Sequence, residues 1–120
     1  MAKKILIADD DRGYLSMITA MLSGRGYSVA TAHDGEEALK QAQTLIPDLI
    51  ILDVSMPKID GDQVYMMLKA RDTVTNKIPI LIVTGLRTEK ELEETKEENV
   101  LAKPVHLDQL LLHIKRLIGD

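Results

Sequence analysis

The chain has 120 residues, a formal net charge of −4, 45% hydrophobic and 28% charged residues, and no cysteine. This length fits one domain, so we expect residues 1–120 to form a single unit. The lack of cysteine excludes disulfides and thiol chemistry, and the lack of a basic cluster argues against direct nucleic-acid binding. No stretch approaches the roughly 18 apolar residues of a membrane span, which leaves a cytoplasmic protein as the expectation.

Short apolar runs recur along the chain and predict five strands. The runs cover residues 5–8, 28–32, 49–52, 80–83 and 99–102. The runs at 49–52 and 80–83 are continuous and rich in β-branched residues, whereas a half-exposed strand would alternate apolar and polar positions. Continuous runs are typical of strands that are covered on both faces, as in a parallel sheet.

Amphipathic helical patterns separate these strands. The first helix is predicted over residues 14–25, with Gly24 or Gly26 able to end it. Asp34 and Glu37 have the spacing of a capping box that opens the second helix. The residues predicted to face the core are Leu15, Ile18 and Leu22 in the first helix, Ala38, Leu39, Ala42 and Leu45 in the second, Val64, Met67 and Leu68 in the third, and Leu107, Leu110, Leu111, Ile114, Leu117 and Ile118 in the last.

The segment between the fourth and fifth strands has an unusual composition. Residues 89–98 contain six glutamates, two lysines and a single apolar residue, Leu92. Thr88 and Glu91 have the spacing of a helix cap, but like-charged glutamates four residues apart mildly oppose a helix. We predict a fourth helix here that is weakly packed; the bland alternative is a rigid, solvated helix face.

Strand and helix alternate five times, which predicts an α/β fold with helices on both faces of one sheet. Right-handed crossovers leave few topologies for such a chain. We expect a doubly wound, five-stranded parallel sheet of flavodoxin-like strand order 2-1-3-4-5, in three α/β/α layers.

Polar residues stop four of the apolar runs at the edge where such sheets bind ligands. Aspartates occupy residues 9–11 after the first strand, Asp53 ends the third, Thr84 ends the fourth and Lys103 ends the fifth. Each has an ordinary explanation alone, since an acidic triplet can be solvated or cap a helix and a lysine is most often a surface residue. Their joint placement, with complementary charge, favours a site.

Five short segments around these residues share a further pattern. They are Ile-Ala-Asp-Asp-Asp at 7–11, Ile-Leu-Asp-Val-Ser-Met-Pro at 51–57, Asp-Gly at 60–61, Leu-Ile-Val-Thr-Gly at 81–85 and Ala-Lys-Pro at 102–104. In this order and at these strand ends, they resemble the receiver domains of two-component response regulators. The resemblance covers essentially the whole chain.

The resemblance implies a Mg²⁺ site at the acidic cluster. Asp10 and Asp53 would bind the ion, together with the backbone carbonyl of Ser55 and water. Asp9 would act through a metal-bound water or from behind the direct ligands. Mg²⁺ prefers oxygen ligands and keeps several waters, so one or two carboxylates suffice.

The resemblance also implies that Asp53 accepts a phosphoryl group from the phosphohistidine of a histidine kinase or phosphotransfer protein. Thr84 and Lys103 would contact that group, and phosphorylation would switch a surface made of the fourth helix, fifth strand and last helix. An unidentified downstream protein or output domain would read this surface. The chain would be a monomer or a phosphorylation-dependent dimer, and no turnover enzyme. It departs from the family at Val100, where receivers usually have Tyr or Phe.

Two other functions stay open from the sequence. One is a pseudo-receiver, an interaction module that is never phosphorylated, although the intact Asp10, Asp53 and Lys103 argue against it. The other is a phosphohydrolase of the haloacid dehalogenase type, whose opening motif resembles Asp9-x-Asp11. That motif has Thr or Val where this chain has Gly13, and such enzymes do not carry their nucleophile on the third strand.

Overall fold

The computed structural model of the chain describes residues 2–53, 61–85, 99–103 and 105–119, with the backbone alone at 61 and 62. The strands of this part are β1 Lys4–Ala8, β2 Ser28–Ala32, β3 Leu49–Asp53, β4 Ile80–Thr84 and β5 Val100–Ala102. Its helices are α1 Arg12–Ser23, α2 Gly35–Leu45, α3 Gly61–Leu68 and α4 Leu107–Ile118. The predicted strands are all present, each within one residue of its expected bounds.

All five strands are parallel and lie in the order β2-β1-β3-β4-β5. The predicted topology is therefore confirmed. The chain moves from β1 to β2 on one side and then crosses to β3 on the other. The strand order thus reverses between β1 and β3, and a crevice at the carboxyl ends of these two strands is where such sheets bind ligands.

Alternate side chains of each strand enter separate cores on the two faces of the sheet. Ile5 and Ile7 of β1 belong to the core that α1 and α4 cover, whereas Leu6 and Ala8 belong to the core that α2 and α3 cover. Every residue of β3 is buried, including Asp53. A strand covered on both faces needs apolar residues at successive positions, which explains the continuous runs in the sequence.

Side-chain caps set the starts of the first two helices. The Asp11 carboxylate accepts a hydrogen bond from the Tyr14 backbone N–H at 3.0 Å, so α1 begins at Arg12, two residues earlier than predicted. The Asp34 carboxylate accepts one from the Glu37 N–H at 2.8 Å. Glu37 in turn accepts a longer bond, of 3.4 Å, from the N–H of His33, the residue before the cap.

Two predictions about the helices have different outcomes. Val64 and Leu68 are buried as expected, but Met67 is 51% exposed, so its predicted inward position is wrong. On this eight-residue helix the buried residues, Val64 and Leu68, follow the i, i+4 spacing. The residue before Leu68 therefore points about 100° away from the sheet.

The predicted helix at residues 89–98 lies outside the described residues. Within the described part, none of the helices is long and apolar enough to cross a membrane.

The contrast between Leu68 and Met67 gives a test of the fold. Leu68→Ala leaves a cavity beneath α3, and we expect it to lower the free energy of unfolding by about 2–5 kcal/mol. Met67→Ala removes an exposed side chain, and its effect should stay within about 0.5 kcal/mol. Urea unfolding of both variants measures the difference, and equal losses would contradict the placement of α3.

Candidate functional site at the carboxyl edge of the sheet

Two buried aspartates meet where the strand order reverses. Ala8 of β1 pairs with Leu52 of β3; Asp9 directly follows β1, and Asp53 is the last residue of β3. Asp9 is 1% exposed and Asp53 is 3% exposed. The Asp9 backbone N–H donates to the Ala32 carbonyl at 3.0 Å, which ties the end of β1 to the end of β2. Neighbouring parallel strands thus bring two carboxylates together away from water.

A third carboxylate completes an acidic cluster. Asp10 follows Asp9 and is exposed to solvent. One carboxylate oxygen from each of Asp9, Asp10 and Asp53 lies within 4.8 Å of the others. Two members are buried and one faces solvent, so the cluster opens outward on the side of Asp10.

Lys103 brings positive charge to the two buried carboxylates. Its Nζ donates to Asp9 Oδ2 at 2.9 Å and to Asp53 Oδ2 at 3.2 Å. The Lys103 backbone N–H donates to the Thr84 carbonyl at 2.8 Å, so the ends of β4 and β5 are tied together. Thr84 is 4% exposed. One residue therefore links the ends of β1, β3 and β4.

The first turn of α1 forms the side of the site. The Asp11 backbone N–H donates to Asp9 Oδ1 at 2.9 Å, while the Asp11 carboxylate caps the helix at Tyr14. Both oxygens of Asp9 are thus engaged, one by Asp11 and one by Lys103. The Tyr14 ring packs against the core between α1 and the sheet, and Lys103 Nζ lies 5.2 Å from the ring centroid.

Burial and charge shift the pKa values of three groups at the site. Burial raises the pKa of Asp9, and the nearby Asp53 charge adds to this, although the Asp11 N–H and Lys103 oppose it. Burial works to lower the pKa of Lys103, but its contacts with Asp9 and Asp53 outweigh burial, so the pKa is raised and the ammonium stays charged. Burial, with a contribution from the Asp9 charge, raises the pKa of Tyr14 to about 12, so its ring is neutral.

The cluster has the chemistry of a magnesium site. Its donors are carboxylate oxygens, which hard divalent cations prefer, and clustered negative charge is what such a cation relieves. Both oxygens of Asp9 already accept hydrogen bonds, which favours an indirect role for Asp9 in metal binding.

The structure brings most of the predicted site residues together. Asp9, Asp10, Asp53 and Lys103 form one cluster, and Thr84 ends the neighbouring strand at the same edge. The predicted ligand Ser55 lies outside the described residues. Sequence reasoning did not assign Tyr14 to the site. Its only sequence signal is that it falls on the first turn of the helix that follows the acidic triplet.

Asp11 caps α1, which is one of the ordinary explanations for an acidic triplet before a helix. The three aspartates therefore have different roles. The first two belong to the carboxylate cluster, and the third caps the start of the helix. Asp11 still supports the site, because its N–H holds one oxygen of Asp9.

Comparison with known proteins gives one consistent family. The family model of the response regulator receiver domain matches residues 5–115. The response regulator MprA of Mycobacterium tuberculosis is 36% identical over 98% of this chain and 51% of its own length. The chemotaxis response regulator CheY4 of Vibrio cholerae has a similar structure, with a TM-score of 0.82 and 32% identity over 98% of this chain and 99% of that one.

A further solved structure bears on the acidic cluster. The receiver domain of a sensor histidine kinase from Pseudomonas aeruginosa aligns over the full length of both chains, with a TM-score of 0.83 and 28% identity. That protein has a magnesium ion coordinated in its active site cleft. The chain spans only about a third to a half of the length of the first curated relatives it matches.

Lys103 pairs with two buried carboxylates, so we expect removal of its ammonium to lower the free energy of unfolding by an amount that depends on pH. Without divalent cations at pH 7, we expect Lys103→Met to lower the free energy of unfolding by about 2 kcal/mol, because two buried carboxylates lose a charged partner. The pKa of Asp9 would rise further above its value in the unfolded chain. In the variant, Asp9 then binds a proton more tightly in the folded state than in the unfolded state. The lost stability is therefore partly regained as the pH falls.

Urea unfolding at pH 7 and pH 5 measures this effect. The control is Lys40→Met, at an exposed lysine of α2, which should change stability by less than about 0.5 kcal/mol at both pH values. The role given to Lys103 would be contradicted if the difference in free energy of unfolding between Lys103→Met and wild type were the same at pH 5 as at pH 7, or larger.

Proposed function

The chain belongs to the response regulator receiver domain family, and from this premise we propose that Asp53 accepts a phosphoryl group in a Mg²⁺-dependent reaction. The observation that carries the proposal is the pairing of the Lys103 ammonium with Asp53 and Asp9 at the point where the strand order reverses. A nucleophilic carboxylate, a fixed cation and a cluster of oxygen donors are what phosphoryl transfer needs, because it depends chiefly on positioning and charge neutralisation.

In the proposed step, a carboxylate oxygen of Asp53 attacks the phosphorus of a phosphohistidine. The new O–P bond forms as the N–P bond breaks, and the electron pair of the broken bond leaves on the imidazole nitrogen. The product is an acyl phosphate on Asp53. Lys103 would exchange its contact with the Asp53 carboxylate for a contact with a phosphoryl oxygen, since an ammonium has three donors to redirect.

Thr84 would donate its hydroxyl to a second phosphoryl oxygen. It ends β4 beside the Asp53 strand, and its carbonyl already accepts the Lys103 N–H. A movement of Thr84 toward the phosphoryl group would therefore be felt at β5. Val100 opens β5 and replaces the aromatic residue usual in receivers, so the proposed response passes through the β4–β5 pair and needs no swinging ring.

Asp10 and Asp53 would hold Mg²⁺ directly, with Asp9 contributing through water. The backbone carbonyl of Ser55 is the third protein ligand that the family resemblance implies. When bound, the ion supplies positive charge that neutralises the charge of the transferred phosphoryl group. Asp10, on the exposed side of the cluster, would meet the ion first.

We propose a histidine kinase or phosphotransfer protein as the phosphoryl donor and a downstream protein or output domain as the reader, in the cytoplasm. The β5 and α4 surface, with the glutamate-rich segment 89–98, would be read by that partner. The acidic charge of this segment favours a basic partner and binding that weakens with salt.

We propose that the chain is a phosphoacceptor and no turnover enzyme. Phosphate uptake from acetyl phosphate with Mg²⁺ separates this proposal from a pseudo-receiver, which would take up none. Catalytic hydrolysis of p-nitrophenyl phosphate is the property that the phosphohydrolase alternative requires.

Asp53→Asn tests the acceptor. The amide nitrogen and oxygen of asparagine are poor nucleophiles, so we expect no phosphate mass on this variant after incubation with acetyl phosphate and Mg²⁺. Asp108→Asn, at an exposed aspartate of α4, is the matched control and should be labelled as fully as wild type. Intact-mass spectrometry reads both variants, and labelling of Asp53→Asn at the wild-type level would rule out this acceptor.

Asp10→Asn tests the metal ligand. Loss of a charged oxygen ligand should weaken Mg²⁺ binding by at least about tenfold. It should also slow phosphorylation at a fixed Mg²⁺ concentration. Calorimetric titration with Mg²⁺ measures the affinity, again with Asp108→Asn as control, and unchanged affinity in Asp10→Asn would refute the direct contact.

A further inference from the structure

We propose that Tyr14 is a positioning residue that holds the Lys103 ammonium over Asp53 and thereby sets the rate of phosphoryl transfer. This rests on the proposed phosphorylation of Asp53. Tyr14 lies on α1, apart from the strand ends that supply the predicted site residues, and the reaction described above does not use it.

The Lys103 ammonium lies over the face of the Tyr14 ring. Lys103 Nζ lies 5.2 Å from the centre of the Tyr14 ring, within the roughly 6 Å over which a cation is attracted to the face of an aromatic ring. The same nitrogen donates to Asp9 and Asp53. The ammonium is thus held by two carboxylates and one neutral ring. Binding of a metal ion or a phosphoryl group would change the charge of the carboxylates, whereas the ring would stay neutral.

The Tyr14 ring is held in place by contacts of its backbone and its side chain, whereas the Lys103 side chain is flexible. The backbone of Tyr14 is bonded to the Asp11 carboxylate at the start of α1, and its ring packs against the core. Lys103 carries its charge on a four-carbon stem with many rotamers. A fixed ring beside a flexible stem reduces the number of positions that the ammonium can occupy.

The Lys103 ammonium also has space around it into which it could move. Tyr14 and Lys103 line a cavity of about 380 Å³ together with Asp11, Met17 and Val105. The Lys103 side chain is 29% exposed. Removing the ring would enlarge this space and let the ammonium turn toward water and away from Asp53. Small displacements of a catalytic charge cost a large part of its effect.

Substitutions at Tyr14 distinguish the effect of the ring face from the effects of the hydroxyl group and of side-chain size. Tyr14→Phe keeps the ring face, whereas Tyr14→Leu keeps an apolar side chain without it. We expect phosphate uptake from acetyl phosphate and Mg²⁺ to be about three- to tenfold slower in Tyr14→Leu and within about twofold of wild type in Tyr14→Phe. Tyr27→Leu is the control, because Tyr27 is also partly buried and packs against the same core.

A measurement on the unphosphorylated protein tests the contact independently of phosphorylation. In nuclear magnetic resonance spectra, the ring current of Tyr14 should shift the Lys103 side-chain protons upfield in wild type and Tyr14→Phe. This shift should be lost in Tyr14→Leu and kept in Tyr27→Leu. If wild type takes up no phosphate, the proposed function fails, and the Lys103 shifts alone then decide whether Tyr14 holds the lysine.

Two results would overturn the proposal. One is Tyr14→Leu with wild-type Lys103 shifts and a wild-type uptake rate. The other is equal slowing in Tyr14→Phe and Tyr14→Leu, which would assign the effect to the hydroxyl group. If Tyr14→Leu does not fold, Tyr14→Met, which has a longer and more adaptable apolar side chain, replaces it in both measurements.

Discussion

One ammonium group offsets the charge of two buried carboxylates, and the arrangement of the site depends on it. Asp9 and Asp53 are almost fully buried, and a buried charge is costly unless it is paired. Lys103 pairs with both, and its backbone is bonded to β4. The ends of β1, β3 and β4 therefore converge on a single side chain at the end of β5. The proposed phosphorylation and metal binding would both alter the charge that this side chain faces, so both would act on the same junction.

The chain's own sequence predicts the sheet well, for a physical reason. Strands of a parallel sheet are covered on both faces, so they appear as continuous apolar runs such as 49–52. The polar residues that end these runs must meet at one edge once the strands are parallel, which is why Asp53 and Lys103 could be placed together. Helix faces are harder to predict: Met67 is apolar at a plausible spacing, yet it is 51% exposed, because a two-turn helix buries only a narrow stripe.

Contacts between elements are what the sequence predicts least. The nearness of Tyr14 to Lys103 depends on the start of α1, which Asp11 sets two residues earlier than the apolar pattern indicates. Likewise, one oxygen of Asp9 accepts from the Asp11 N–H at the start of α1, and the other accepts from Lys103, which follows β5. Such features combine a local cap with a distant strand, so no spacing within one segment reveals them.

The bond between Asp9 and Lys103 joins residues 94 positions apart. Closing so long a loop costs entropy before the contact forms, so we expect this junction to form late in folding. During synthesis, β1 and β3 leave the ribosome well before Lys103 does, and domains are made from the N-terminus onward. An unfinished chain thus carries the acidic residues without their cation. We expect such a partial chain to be a poor phosphoacceptor until β5 has joined the sheet, because Lys103 and the complete sheet edge are still missing.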